Sequence, residues 1–332
     1  MTLLLLGVFV TTLLLIYLLI LWAERLNLTD IPNQRSMHTT IIPRGAGIAF
    51  VFSVVVMLLL FDFAYLQAYS YVYGAIVIVF VAGVWDDMRD ITPKVKLLFI
   101  FVATLLLYSQ GFALETLGNY FGYELLLPSW FTFPFTFFAI AGFTNALNLM
   151  DGLDGLASLV AIVIMVAFLA LGIEYEDRLL TTLPALFIVT LVAFLYFNWH
   201  PAKIFMGDSG SLSLGVVISI LAIQATEYVA PVSVLFLIAL PLLDTFIVIT
   251  RRLQRHKSPL EADKNHMHHF FYNLKQDTRY TVMIFALMQT VFSIIGYQLR
   301  DANEPLSLVL FGILFYLYLT LFDQRRRHRH RS

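Results

Sequence analysis

The sequence predicts an all-α polytopic membrane protein, organised as a single transmembrane domain over residues 1–332. Of the 332 residues, 60% are hydrophobic and 13% are charged, whereas soluble domains carry about 25% charged residues. Apolar runs of roughly 17–25 residues, the length that a helix needs to cross a bilayer, recur almost from end to end. The chain has no cysteine, which excludes disulfides, thiolate nucleophiles and thiolate metal sites.

The apolar runs predict about eleven transmembrane helices. The first run has no Lys or Arg before it, so we interpret it as a retained span and not as a cleaved secretory signal. The run at 212–225 is the shortest. The predicted spans are 1–22, 45–61, 70–85, 95–110, 131–148, 156–173, 179–197, 212–225, 229–250, 280–298 and 305–322.

The distribution of Lys and Arg predicts the orientation, because cytoplasmic loops carry an excess of both. With the amino terminus outside and the carboxy terminus in the cytoplasm, all 21 Lys and Arg residues except Arg178 and Arg300 fall on the inner side. We therefore expect a multi-pass membrane protein whose amino terminus lies outside and whose carboxy terminus lies inside. The predicted cytoplasmic loops lie near 24–44, 86–94, 149–155, 198–211 and 251–279.

Two adjacent carboxylates, Asp86 and Asp87, end the third predicted span. They repel each other, and the carboxyl end of a helix dipole is itself negative. We therefore expect a compensating cation, which Lys94, Lys96 or a metal ion could supply. The alternative interpretation is a solvated helix terminus.

A ladder of polar residues ends the fifth span, because Asn145, Asn148, Asp151 and Asp154 recur every three residues. Neighbouring pairs at this spacing share one helix face. The glycines that follow the two aspartates indicate that the helix ends or bends there. The pattern predicts a ladder that leaves the membrane and curls over a site, with helix capping and interhelical hydrogen bonds as the alternative.

A glycine-rich turn precedes the eighth span and contains Phe205 and Asp208. Successive backbone amides in such a turn can face an anion, and an aspartate there suits Mg²⁺, which is commonly held by one or two carboxylates together with substrate phosphates. A turn capped by a serine is the alternative.

The last inner loop holds His266, His268 and His269, whose spacing does not suit a closed zinc site. We expect these histidines to bind phosphate, or else to belong to a solvated basic loop.

These clusters all fall on the inner side, and together they supply carboxylates for a metal and cations for phosphate. The first loop contributes the cations Arg35, His38 and Arg44. The combination fits phosphoryl transfer, in which catalysis consists mainly of positioning and charge neutralisation.

The motifs closely resemble the polyprenyl-phosphate N-acetylhexosamine-1-phosphate transferases, a glycosyltransferase family that includes the WecA, TagO and MraY types. The resemblance covers nearly the whole chain, with the motifs in the order of the family. The first loop, with DIPNQRSMH and PRGAG, is most similar to the WbpL-type enzymes that initiate O-antigen synthesis. Ala46 is a departure, because the family often has three successive glycines there.

The resemblance implies transfer of a HexNAc-1-phosphate from a UDP-N-acetylhexosamine to undecaprenyl phosphate, with Mg²⁺ or alternatively Mn²⁺. It implies a multi-pass protein of the bacterial cytoplasmic (inner) membrane with its active site on the cytoplasmic face. It also implies a partnership with membrane lipids and not with nucleic acid, and it suggests a homodimer. Direct attack by the lipid phosphate is favoured over a covalent enzyme intermediate, while the sugar stays open among FucNAc, QuiNAc, GlcNAc and GalNAc. The implied roles are catalysis for Asp86, Asp87 and Asp151; metal binding for Asp208 and Asn148; and substrate binding for Asp154, Asn198, Phe205, His266, His268, His269, Lys94, Lys96, Arg35, His38 and Arg44.

Two other classes of protein fit part of the pattern. Ion-coupled transporters also have buried acids, but their sites lie near the bilayer midplane, whereas these acids cluster at one surface. Asp244 is the only deep acid, and we expect it to lie near the inner end of its span or to be paired. A lipid-binding scaffold would not need both the paired acids and the Gly-Asp turn.

Overall fold

The computed structural model describes residues 1–32, 40–254 and 267–329, with side chains described through residue 320. Nearly all of the regular structure is helical. The helices are α1 (Thr2–Trp22), α2 (Gly47–Phe61), α3 (Phe63–Ala68), α4 (Ser70–Met88), α5 (Pro93–Tyr108), α6 (Ser129–Met150), α7 (Leu156–Glu174), α8 (Arg178–Asn198), α9 (Gly207–Ala225), α10 (Pro231–Leu237), α11 (Ala239–Gln254), α12 (Met267–Lys275), α13 (Thr278–Gln298) and α14 (Glu304–Arg329). The strands are β1 (Thr29–Asp30), β2 (Ile42–Pro43), β3 (Thr116–Tyr120) and β4 (Tyr123–Leu126).

Seven helices in the described part of the chain are long and apolar enough to cross a membrane: α1, α4, α6, α7, α8, α9 and α13. Each of them coincides with a predicted span. The predicted spans at 45–61, 95–110 and 305–322 correspond to α2, α5 and α14. The chain is therefore a polytopic all-α membrane protein, as predicted, whereas the total of eleven spans stays a prediction.

The predicted span at 229–250 consists of two helices, because α10 and α11 meet at a bend of 87°. A bend frees backbone groups, which must find other partners inside a membrane. Gln289 of α13 supplies both partners: its Nε2 donates to the Leu237 carbonyl at 2.7 Å, and its Oε1 accepts from the Leu240 amide at 3.1 Å. Thus one buried side chain bridges the break.

Helix α9 forms the centre of the bundle, and every residue from Ser209 to Ile223 is buried. Its amino-terminal end is packed closely by glycines of two other helices. A Cβ added to Gly47 of α2 would lie 2.1 Å from the Gly210 nitrogen, and one added to Gly83 of α4 would lie 2.4 Å from the Ser209 Cα. Small residues allow membrane helices to approach this closely, so the start of α9 is held between α2 and α4. The glycine-rich segment predicted as a turn before the span, residues 207–211, is the first part of this helix.

The two ends of the bundle differ in character. The arginines that the predicted orientation leaves outside are both paired, Arg178 with Asp62 at 3.0 Å and Arg300 with Glu174 at 2.8 Å. At the opposite end, β1 pairs with β2 and closes the first predicted inner loop. The polar motifs of the sequence gather at this second end.

Candidate active site

Three helix ends meet around Lys96, which lies in the first turn of α5. Its Nζ is 2.9 Å from an oxygen of Asp86, at the end of α4, and it also pairs with the carboxylate of Asp208, at the start of α9. The second oxygen of Asp86 accepts from the Ile91 amide at 2.9 Å. Lys96 therefore supplies the expected cation to Asp86, the first of the paired acids, whereas Lys94 is exposed.

Asp87 has a different environment from its neighbour. Its side chain is only 2% exposed, and its two oxygens accept from the Asp208 amide at 2.8 Å and the Ser209 amide at 3.0 Å. The first amides of a helix lack intrahelical acceptors and carry partial positive charge. Asp87 therefore caps α9 from another helix and fixes the backbone of Asp208, a role that the sequence assigned to a serine in the alternative interpretation.

Asn148, near the end of α6, completes the cluster. Its Nδ2 donates to Asp208 Oδ1, the carboxylate oxygen that does not pair with Lys96, at 3.1 Å, and to Ser211 Oγ at 2.8 Å. Asp208 and Asn148 are adjacent, and both carry oxygen atoms of the kind that suits Mg²⁺ in an open site shared with substrate phosphates. Asn148 directs its Nδ2 to Asp208, so it would have to present its amide oxygen to a bound ion. Within the described ranges, no group of three or more His, Asp or Glu side chains could hold a metal by itself.

The polar ladder divides where α6 ends at Met150. Asn145 is exposed, whereas Asn148 faces the cluster. Burial raises the pKa of Asp151 to about 7, with further contributions from the carboxylates of Asp208, Asp87 and Asp154. The end of the ladder therefore brings the Asp151 carboxyl group near the other carboxylates of the site.

Asp154 turns toward the segment after α8. One of its oxygens lies 2.7 Å from His200 Nδ1 and accepts from the Ala202 amide at 3.1 Å. His200 was not predicted as a site residue, and its position two residues after Asn198 was the available signal.

Asn198 is buried and braces two loops against each other. Its Oδ1 accepts from the Gly155 amide at 2.8 Å, and its Nδ2 donates to the Ile204 carbonyl at 2.9 Å. Phe205 is half-buried, and its amide donates to the Pro43 carbonyl at 2.8 Å. The backbone of Phe205, predicted as a substrate-binding residue, is thus held beside the first inner loop.

The first loop also reaches the acid cluster, because Arg44 Nε donates to the Asp87 carbonyl at 3.0 Å. On the other side, the His268 ring lies against Gly152: a Cβ added to this glycine would be 2.6 Å from His268 Nε2. The His269 ring contacts the His268 ring in a tilted arrangement, with 4.3 Å between ring centroids and 45° between the ring planes. The predicted substrate-binding residues Arg35, His38 and His266 lie outside the described residues.

The order and geometry of these residues can be compared with those of known proteins. The chain is 32% identical over 298 residues to the probable undecaprenyl-phosphate N-acetylglucosaminyl 1-phosphate transferase of Bacillus subtilis, covering 88% of this chain and 83% of the relative. Residues 69–226 match glycosyl transferase family 4. The chain belongs to this family.

The matched segment of this family 4 member extends from the start of α4 to the end of α9, so it includes Asp86, Asp87, Lys96, Asn148 and Asp208. Two further relatives are named undecaprenyl-phosphate alpha-N-acetylglucosaminyl 1-phosphate transferase. They come from Salmonella typhi, with 30% identity over 330 residues, and Escherichia coli K12, with 28% over 336 residues. Each alignment covers 95% of this chain and 89% of the relative.

Proposed function

We propose that this family 4 member transfers a HexNAc-1-phosphate from a UDP-N-acetylhexosamine to undecaprenyl phosphate, giving undecaprenyl-diphospho-HexNAc and UMP. The observation that carries the proposal is the cluster of Asp86, Lys96, Asn148 and Asp208 at the meeting point of four helix ends. Relatives that cover most of the chain are named for transfer to undecaprenyl phosphate.

In this reaction an oxygen of the lipid phosphate attacks the sugar-linked phosphorus of the donor. The bond from that phosphorus to the bridging oxygen breaks, and UMP leaves with the electron pair. The reacting groups are anionic, so the protein must hold them in line and offset their repulsion. Lys96 supplies positive charge for this, beside the carboxylates of Asp86 and Asp208.

Asp86 orients the lipid phosphate and accepts its proton where the bound monoester keeps one. Asp87 holds the backbone of Asp208. Asp208 and Asn148 would hold Mg²⁺, or alternatively Mn²⁺. When bound, the ion neutralises charge on the phosphates.

The nucleotide end of the donor meets the loops after α6 and α8. There Phe205 stacks on uracil, beside Asp154 and Asn198. The diphosphate meets His268 and His269, while Arg44 and the more distant Lys94 draw anionic substrate to the surface. Direct attack leaves no phosphoryl group on an aspartate, so radiolabelled donor without lipid should leave the enzyme unlabelled.

We further propose eleven spans, with the amino terminus outside and this cluster at the cytoplasmic face of the inner membrane. The Lys and Arg distribution supports this orientation. In this cysteine-free chain, Ser70→Cys and Lys203→Cys should react with an impermeant maleimide from opposite sides of the membrane. Labelling of both from the same side would contradict the orientation.

The similarity of the first loop to WbpL-type enzymes supports a role in initiating O-antigen or a related surface polysaccharide, and a homodimer is the expected assembly.

The test of the activity is release of UMP by purified protein given undecaprenyl phosphate and a panel of UDP-linked FucNAc, QuiNAc, GlcNAc and GalNAc. At least one donor should give UMP in the wild type and none in Asp208→Asn, while Asp90→Asn, an exposed neighbour of the site, stays active. Substrate flux across proteoliposomes without UMP release would favour a transporter instead.

A further inference from the structure

Asp244 on α11 is an acidic residue that the proposed chemistry does not use, and it is 1% exposed. A buried carboxylate is costly unless it is paired or hydrogen-bonded. Its Oδ1 accepts a hydrogen bond from the backbone amide of Met267 at 2.7 Å. The deep acid of the sequence is therefore engaged with the start of another helix.

Met267 is the first residue of α12. The amides of a first helical turn lack intrahelical acceptors, and the helix dipole makes this end partly positive. A carboxylate at this point is therefore favourable on both counts. Because Asp244 belongs to α11, the bond fixes the beginning of α12 to a membrane helix.

Helix α12 carries His268 and His269 to the candidate active site. Met267 and His268 are both buried, and His268 lies against Gly152 in the loop that contains Asp151. Further along the helix, Phe271 packs edge-to-face on Phe285 of α13, with 5.7 Å between ring centroids. The histidines immediately follow the residue that Asp244 holds, so a shift at Met267 displaces them first.

We propose that Asp244 is a positioning residue, which docks α12 so that His268 and His269 face the substrate diphosphate. This inference rests on the proposed transferase function for its effect on catalysis. The docking itself follows from the hydrogen bond and the packing. Asp244 thus acts through the histidine helix and contacts no reacting atom.

The docking can be measured without any assay of activity. Spin labels at Leu274→Cys on α12 and Lys203→Cys beside the site, both exposed, would report the position of α12 by double electron–electron resonance. Loss of a hydrogen bond to a charged acceptor changes an equilibrium by roughly tenfold to a hundredfold. We expect Asp244→Ala to increase the undocked fraction by about tenfold or more, and Asp244→Asn, which keeps an acceptor, to stay within about threefold of wild type.

The matched control is Thr245→Ala on the same helix, which should leave the distance distribution unchanged. With UMP release as the readout, Asp244→Ala should lower kcat by about tenfold, and Asp244→Asn should restore most of it. The proposal would be overturned if well-folded Asp244→Ala gave the distance distribution of the wild type. It would also be overturned if Asp244→Asn had as large an undocked fraction as Asp244→Ala. Failure of the wild type to release UMP would overturn the proposed function instead, while the distances would still test the docking.

Discussion

Asp87 provides the sharpest test of how the site is built, because its carboxylate holds the start of α9. Both of its oxygens accept backbone amides at the start of α9. In Asp87→Asn one oxygen remains, and the new NH₂ group faces the other amide donor. A hydrogen bond to a charged group contributes about 1.5–3 kcal/mol, and an unsatisfied buried donor costs about 1–3 kcal/mol.

We therefore expect Asp87→Asn to destabilise the start of α9 by about 2–4 kcal/mol. Because the affected amides belong to Asp208 and Ser209, the Asp208 carboxylate should also move, and a misplacement of about 1 Å can cost about a hundredfold in rate. The assays are the thermal unfolding midpoint in detergent and UMP release over a range of Mg²⁺ concentrations. The variant should lower the midpoint and kcat, and it should raise the Mg²⁺ concentration needed for half-maximal rate.

Asp90→Asn is the matched control, since Asp90 lies three residues later, is exposed, and is 3.7 Å from Arg44. An exposed pair of this kind contributes about 0–1 kcal/mol. If Asp87→Asn has the same unfolding midpoint and the same kcat as Asp90→Asn, the assignment of Asp87 as the cap of α9 is wrong. A variant with normal stability but no turnover would place Asp87 in the chemistry instead.

Three further predictions concern the surroundings of the cluster. Gly83→Ala places a Cβ against the backbone of α9 and should lower the unfolding midpoint, at a cost of about 1–3 kcal/mol, whereas Gly142→Ala, which meets open space, should not. Gln289→Leu leaves the break between α10 and α11 without its bridging partner, so the midpoint should fall by an amount equivalent to about 1–3 kcal/mol; an unchanged midpoint would refute the bridge. Because the pKa of Asp151 is raised from 3.8 to about 7, the folded state binds a proton more tightly than the unfolded state, and stability should fall as pH rises from about 4 to about 7. Asp151→Asn should remove this part of the pH dependence in metal-free buffer. If the unfolding midpoints of wild type and variant change with pH to the same extent, the prediction is contradicted.

Composition and hydropathy were sufficient to predict the class of fold, because a bilayer constrains helix length and backbone pairing strongly. The bend between α10 and α11 was not predictable in this way. It depends on Gln289, a residue about fifty positions later that satisfies the broken backbone. Hydropathy reports the length of an apolar run, but it does not report whether a distant side chain will support a bend.

The polar residues of the site were predictable as a set, but not their individual partners. Lys94 and Lys96 were equal candidates from the sequence, and the rotation of α5 decides that Lys96 meets the acids. Likewise, nothing in the sequence around Asp86 and Asp87 indicates that Asp86 pairs with a lysine whereas Asp87 caps α9. The backbone amide of Asp208 that Asp87 accepts lies 121 residues later in the chain. Such pairings depend on how glycines let α4 approach α9, which is a tertiary property.

The most direct test of the account follows the donor phosphates through one turnover. Purified protein would receive undecaprenyl phosphate and a UDP-N-acetylhexosamine labelled only in its sugar-linked phosphate, with products separated and identified by mass spectrometry. Transfer of a sugar-1-phosphate predicts labelled undecaprenyl-diphospho-HexNAc and unlabelled UMP in equal amounts, and neither product in Asp208→Asn. Release of labelled UDP, with the bare sugar on the lipid, would contradict the proposed reaction.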